Sequence, residues 1–157
     1  MPFVYSISPA ANVTTNGTAN TDTDHLRTLT GSTRRAAIQG LFLIGKGAGL
    51  TAISGIVVRL ARYSTASTSG SSITPRPKEP SAPASQLTAF TGPTVGTTQT
   101  VQQSVGCGAA GPGGWVARDS DSMIGMEAGG GSNGNVDAIS QSGTVSLNFE
   151  YSLEFVE

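Results

Sequence analysis

Apolar and polar residues alternate strictly along residues 144–157. The apolar positions share one face of an extended chain, and they are Val145, Leu147, Phe149, Tyr151, Leu153 and Phe155. The opposite face carries Ser146, Asn148, Glu150, Ser152 and Glu154. A period of two is typical of a β-strand with one buried face. The sequence therefore predicts a half-buried antiparallel strand here, which begins after Gly143.

Two runs rich in aliphatic residues, 36–44 and 52–63, lie on either side of a glycine-rich stretch at 45–49. Two strands joined by a glycine-rich loop are typical of a β-hairpin. Alternation in the second run places Arg59 on the face opposite Ile56, Val58 and Leu60.

The first of these runs has a helical alternative, because Arg34-Arg35-Ala36-Ala37-Ile38-Gln39 has helical propensity. Gly40 and the Leu-Phe-Leu-Ile sequence that follows it favour a strand instead.

Further strands are predicted between Gly- and Pro-rich turns, at 87–90, 97–105, 115–118, 122–127 and 135–139. Residues 64–86 are rich in Ser and Thr and then contain four prolines, which oppose both helix and sheet ladders. This stretch is predicted to be either a surface loop or an ordered excursion.

The predicted fold class is all-β, with a single β-sandwich or jelly-roll-like domain. Residues 33–157 form the sandwich, and residues 64–86 are its Pro/Ser-rich loop. Residues 1–32, which include Phe3, Val4 and Tyr5, are predicted to be an extended N-terminal arm or a first strand.

Composition narrows the function classes. Ser and Thr supply 38 of the 157 residues, whereas charged residues make up only 12% and the net charge is −1. This balance is unlike a helical bundle or coiled coil, and it offers no basic surface for nucleic acid. The apolar stretches are too short for a membrane helix, and the N-terminus lacks the pattern of a signal peptide. We therefore expect neither nucleic acid nor membrane as a partner.

Candidate chemistry is sparse. Cys107 could act as a nucleophile only if His25, the single histidine, came near enough to be its base. The segment Gly40–Gly47 resembles a phosphate-binding loop but lacks the hydroxyl residue after Lys46. Asp22 and Asp24, like Asp119 and Asp121, have a spacing that calcium sites use, but neither pair continues into a full calcium loop, so both are interpreted as turns or solvated pairs. The sequence predicts no enzyme activity, no cofactor and no metal site.

Three stretches resemble a known family. They are Arg59-Leu-Ala-Arg-Tyr-Ser-Thr-Ala-Ser-Thr-Ser-Gly-Ser-Ser-Ile-Thr-Pro-Arg-Pro, Cys107-Gly-Ala-Ala-Gly-Pro-Gly-Gly-Trp-Val-Ala and Ser152-Leu-Glu-Phe. They are similar to small structural proteins encoded among the head genes of tailed bacteriophages and cyanophages, some of which are capsid decoration, or cement, proteins. The resemblance covers residues 33–157.

The resemblance implies a β-sandwich subunit that forms homotrimers on the outside of an icosahedral capsid, where it stabilises contacts between major capsid proteins after the head has expanded. The protein would be made in the host cytoplasm and located on the virion surface. Its partners would be the major capsid protein and itself. The residues predicted to contact a partner are Phe3, Tyr5, Arg34, Arg35, Pro75, Pro77 and Trp115.

Three alternatives stay open. The chain could be another virion β-module, such as a head-fibre base, a tail component or a glycan-binding domain. It could also be a Cys107-dependent hydrolase or an unrelated cellular β protein.

Overall fold

The computed structural model describes residues 2–16, 18, 21–47, 55–65, 67–141 and 146–157. Within them, thirteen strands and one short 3₁₀ turn, Ser120–Ser122, follow one another along the chain. The strands are β1 (Val4–Ile7), β2 (Val13–Thr14), β3 (Asp22–Leu29), β4 (Ala36–Gly45), β5 (Gly55–Thr65), β6 (Ser71–Ile73), β7 (Arg76–Pro77), β8 (Thr88–Thr91), β9 (Thr97–Gly108), β10 (Pro112–Val116), β11 (Ile124–Met126), β12 (Asn135–Gln141) and β13 (Asn148–Val156).

The strands form two antiparallel sheets that enclose one main apolar core. The seven-stranded sheet has the order β10-β4-β13-β1-β7, and β11 and β2 add to β4 and β13. The six-stranded sheet has the order β6-β8-β3-β12-β5-β9. The predicted all-β sandwich is confirmed.

Strand β13 lies at the centre of the seven-stranded sheet and follows the predicted alternation. Its apolar side chains Phe149, Tyr151, Leu153 and Phe155 are all buried, while its polar side chains are partly exposed. The strand is shorter than predicted, because it begins at Asn148 and its predicted first residues, 144 and 145, lie outside the described residues.

The predicted hairpin of residues 36–44 and 52–63 is wrong. Strand β4 pairs with β13 and β10 in one sheet, whereas β5 pairs with β12 and β9 in the other. Each strand presents alternate aliphatic side chains to the shared core from its own side. The two arrangements give the same local pattern, because a glycine-rich connection can turn a hairpin or cross between sheets. The helical alternative for residues 34–44 is also excluded, because residues 36–44 lie in strand β4.

Residues 2–32 contribute strands to both sheets, so they follow the first-strand alternative rather than the extended arm. Strand β1 lies between β13 and β7, and β3 lies between β8 and β12. The Tyr5 ring stacks on Phe155 with 5.3 Å between ring centroids. This segment is therefore part of the sandwich.

The Pro/Ser-rich stretch is an ordered excursion that links an edge of one sheet to an edge of the other. Strand β6 pairs with β8, and β7 pairs with β1. The Tyr5 hydroxyl donates a 2.9 Å hydrogen bond to the Pro83 carbonyl, and Lys78 forms an ion pair with Glu154. Most side chains between 71 and 86 are exposed.

A second crossing between edge strands lies on the opposite side of the sandwich, where β9 of the six-stranded sheet leads into β10 of the seven-stranded sheet. Gly113 of β10 packs directly against Gly106 and Cys107 of β9. The two crossings connect the edge strands of the two sheets on both sides.

Candidate contact surface

The structure does not assemble the Cys107–His25 pair that nucleophilic catalysis would need. His25 in β3 and Cys107 in β9 are separated by β12 and β5, which corresponds to roughly 14 Å across the sheet. The His25 imidazole is instead paired with the Ser140 hydroxyl at 2.7 Å and packs edge-on against Phe149. Burial lowers the pKa of His25 to about 4, so the ring is neutral at pH 7.

Cys107 is a buried free thiol, and burial raises its pKa. We expect Ellman's reagent at pH 8 to modify it at least about a hundredfold more slowly in the folded protein than in the denatured protein, because modification requires local opening. Equal rates in the two states would contradict this burial.

Strand β4 and its edge neighbour β10 carry exposed apolar side chains. Leu41 and Leu43 point into the core, so Phe42 and Ile44 point outward, and both are exposed. Val116 of β10 lies on the same outer side, because it pairs with Gly40. We call Phe42, Ile44 and Val116 the apolar face.

Glycines hold the aromatic member of this face in place. A Cβ at Gly40 would lie 3.3 Å from the Phe42 ring, and a Cβ at Gly114 would lie 3.4 Å from it. The ring therefore rests against two glycine backbones, one in its own strand and one in β10. This packing restricts the Phe42 side chain, so less side-chain freedom is lost on binding.

Polar groups border the apolar face. Lys46 and Glu150 form an ion pair at 3.1 Å, and the hydroxyls of Ser8 and Ser152 are 2.9 Å apart. A hollow of about 190 Å³ beside Phe42 is lined in part by these serines and by Ile44. An apolar centre with a polar rim is the usual composition of a protein interface.

The structure spreads the seven predicted contact residues over both edges and one end of the seven-stranded sheet. Tyr5 is fully buried, with its ring stacked on Phe155. Phe3 and Trp115 are partly buried and pack against the core. Arg34, Arg35 and Pro77 are exposed, and Pro75 is partly so.

Arg35 lies at an end of the sandwich, in a cleft of about 590 Å³. Arg62, Glu127 and Glu157 also line this cleft, and Arg62 donates to the Gly125 carbonyl. Neither arginine forms a salt bridge with any residue that the structure describes. The cleft therefore combines apolar walls with two cationic and two anionic side chains.

The interpretation of Asp22 and Asp24 as a turn or solvated pair is wrong. Both lie in strand β3, where Asp24 is buried and Asp22 forms a 2.5 Å ion pair with Arg59. Asp119 and Asp121 do lie in a turn, since Asp119 caps the 3₁₀ turn that contains Asp121. In the described part of the chain, no three His, Cys, Asp or Glu side chains gather into a metal-binding group.

Sequence reasoning missed the apolar face. The only signal was that Leu41-Phe42-Leu43-Ile44 is apolar at both even and odd positions, so a strand there has two apolar sides. It also missed the environment of Asp24, whose partners come from distant parts of the chain.

No helix among the described residues is long and apolar enough to cross a membrane. No family model matches the chain, and neither the curated proteins nor the solved structures include one that matches it.

Proposed function

We propose that this chain is a virion structural protein that binds the outside of an icosahedral phage capsid and stabilises contacts between major capsid proteins as a homotrimer. The resemblance of residues 59–77, 107–117 and 152–155 supports this proposal. The observation that carries it in the structure is the apolar face, an exposed aromatic and two aliphatic side chains on two paired strands.

The apolar face suits a weak contact that is repeated many times over a capsid lattice. A few well-packed aromatic and aliphatic anchors supply most of the binding energy of a protein interface. Each copy need bind only modestly, because simultaneous attachment of linked subunits multiplies affinity. The excursion at 71–86 and the end cleft with Arg35 offer additional polar contacts to neighbouring subunits.

The glycan-binding alternative has less support. Sugar sites depend on exposed aromatic rings, but Tyr5, Tyr63 and Tyr151 are buried and Trp115 packs against the core. Phe42 is left as the exposed aromatic of the apolar face.

A co-sedimentation experiment tests the proposal. Purified protein is mixed with expanded empty heads, and its mass in solution is measured by light scattering. We expect a trimer that pellets with the heads. A protein that does not pellet with expanded heads would overturn the capsid role.

A matched pair of variants tests the apolar face. Ile44 is 48% exposed on the seven-stranded sheet and Val57 is 47% exposed on the six-stranded sheet, so Ile44→Thr and Val57→Thr make comparable changes at comparable exposure. We expect Ile44→Thr to weaken head binding by about tenfold, which is the loss of one interface anchor. We expect Val57→Thr to change it by less than about twofold. Equal effects of the two variants would place the contact elsewhere.

A further inference from the structure

A pair of buried carboxyl groups lies on the outer face of the six-stranded sheet. Asp24 of β3 is 3% exposed and Asp137 of β12 is fully buried. The Ser67 hydroxyl bridges them, 2.8 Å from Asp24 Oδ2 and in close contact with Asp137 Oδ2. Two buried carboxylates so close together would repel strongly, because the protein interior screens charge weakly.

The bridge itself requires a proton on the pair. The Ser67 hydroxyl has one hydrogen, so it can donate to only one of the two carboxylates. If one carboxyl is protonated, it donates to Ser67 Oγ, and the Ser67 hydroxyl donates to the other carboxylate. One proton therefore turns two repelling contacts into a chain of two hydrogen bonds.

The charges around the pair also indicate one bound proton. Three acids and two bases face this region: Asp22, Asp24, Asp137, Arg27 and Arg59. Arg59 is paired with Asp22 at 2.5 Å, and the charge of Arg27 acts on Asp137 from the paired position in β3. With every group ionised the cluster carries one excess negative charge, and one proton makes it neutral. A divalent cation would leave it positive beside two arginines.

A segment of chain covers the pair. Residues 67–70, which we call the strap, are held at Thr68 by a backbone bridge to Thr94. Ala61, Tyr63 and Ile139 form a second small apolar cluster, which lies next to the strap because Tyr63 and Ser67 both approach Gly96. The Tyr63 hydroxyl is buried with no hydrogen-bond partner among the described residues, as is the second oxygen of each carboxyl, Asp24 Oδ1 and Asp137 Oδ1. Backbone N–H groups of Leu26 and Thr28 each donate to one carboxyl, whereas the Ser67 hydroxyl contacts both.

We propose that a proton shared by Asp24 and Asp137 through Ser67 is a latch that holds the strap on the six-stranded sheet, and that its loss in alkaline solution releases the strap. This latch is independent of the capsid role. Release would expose the apolar cluster next to the strap and free the chain that leads into the excursion.

The directions of the pKa shifts of the two carboxyl groups agree with this proposal. Burial, and then the charge of Asp137, raise the pKa of Asp24 to about 9, and burial raises the pKa of Asp137 to about 6. The unfolded chain loses both protons near pH 4. The folded state therefore binds more protons than the unfolded state between about pH 4 and pH 9, so stability falls as the pH rises through that window.

The other titratable groups near the pair change charge either above or below the range from pH 7 to pH 9.5. Burial raises the pKa of both Tyr63 and Tyr151, and the charge of Asp24 contributes to each. His25 faces the core from the same strand as Asp24, and its pKa of about 4 means that its effect is confined to acid solution. Outside this region, the raised pKa of buried Cys107 adds a fall in stability above about pH 8.5, and Asp24→Asn leaves that contribution unchanged.

Carbon-13 NMR of the aspartate carboxyl groups tests the latch in the wild-type protein, with no need for a variant to fold. We expect one carboxyl signal to titrate above pH 7, and amide exchange in residues 67–70, corrected for the intrinsic effect of pH, to rise with it. Carboxyl signals that all stay ionised from pH 6 to pH 10 would overturn the proposal. A stoichiometric change of both signals on adding Ca²⁺ at pH 7.5 would overturn it in favour of a cation.

The variant Asp24→Asn supplies a second test, because the side-chain amide of asparagine can donate a hydrogen bond to Ser67 at any pH. We expect the wild-type Tm to fall by about 5 °C or more between pH 6 and pH 9.5, and the variant to lose most of that fall. Asp121→Asn makes the same change at an exposed position and should retain the wild-type dependence. An unchanged pH dependence in Asp24→Asn would overturn the proposal.

Discussion

Replacing Phe149 with alanine should lower the free energy of unfolding by about 3–5 kcal/mol. Phe149 is fully buried in β13, the strand to which β1, β2 and β4 all attach. Its ring packs edge-on against His25 with 5.0 Å between centroids, and it lies 6.3 Å from Tyr151. The variant loses the burial of the ring and leaves a cavity between the two sheets, which neither sheet can close without breaking strand pairing.

Urea denaturation of the purified protein measures this loss, and Phe42→Ala is the matched control. Phe42 lies in the neighbouring strand but points outward and is 38% exposed, so its truncation should cost only about 1–2 kcal/mol. An equal loss in the two variants would mean that Phe149 does not occupy the core. A typical domain has only about 5–15 kcal/mol of stability, so Phe149→Ala would be near the limit of folding.

Replacing Gly113 with alanine should destabilise the protein by at least about 3 kcal/mol, at the upper end of the cost of overpacking. A Cβ at Gly113 would overlap the Gly106 carbonyl oxygen and would lie 2.6 Å from Cys107 Cβ. These are atoms of β9 at the point where the chain crosses between the sheets, and backbone atoms cannot move aside as a flexible side chain can. The crossing would have to open to admit one methyl group.

Gly125→Ala is the control for this variant, because Gly113 and Gly125 both pair with β4 along the same edge. A Cβ at Gly125 meets no atom within 4 Å. Alanine there should stabilise the strand by up to about 1 kcal/mol, since glycine loses more backbone entropy on folding. Thermal unfolding of the two variants should therefore shift in opposite directions, and a similar shift for both would contradict the close approach of β9 and β10.

Strand character was predictable wherever one side of a strand faces the core and the other faces water. The alternation in β13 identified its buried residues, and Ile56, Val58 and Leu60 are buried opposite Arg59 as expected. Strand β5 departs from this alternation at a bulge between Leu60 and Ala61, where its pairing with β9 shifts. A bulge depends on the register of the neighbouring strand, so it cannot be predicted from the sequence of β5 alone.

Pairing partners were harder to predict than strands. The local pattern of residues 36–63 is the same for a hairpin and for a crossing between sheets, and only the distant strands β13 and β12 decide between them. The contact surface has the same difficulty. The run that contains Phe42 and Ile44 indicates two apolar sides, but which side stays uncovered depends on the whole sheet. Asp24 acquires its unusual environment from Ser67 and Asp137, and no local spacing connects these three residues.

The position of β13 in its sheet has a consequence for how the protein is made. This strand follows every other strand of the seven-stranded sheet along the chain, yet it pairs with three of them. On the ribosome, β4 lacks its β13 partner until residues 148–156 have emerged from the exit tunnel. Contacts between β1 and β13 also join residues far apart in sequence, such as Val4 and Val156, and such long-range pairing slows folding. The nascent chain is therefore exposed to aggregation until synthesis has passed β13, and chaperone demand should be greatest during that interval.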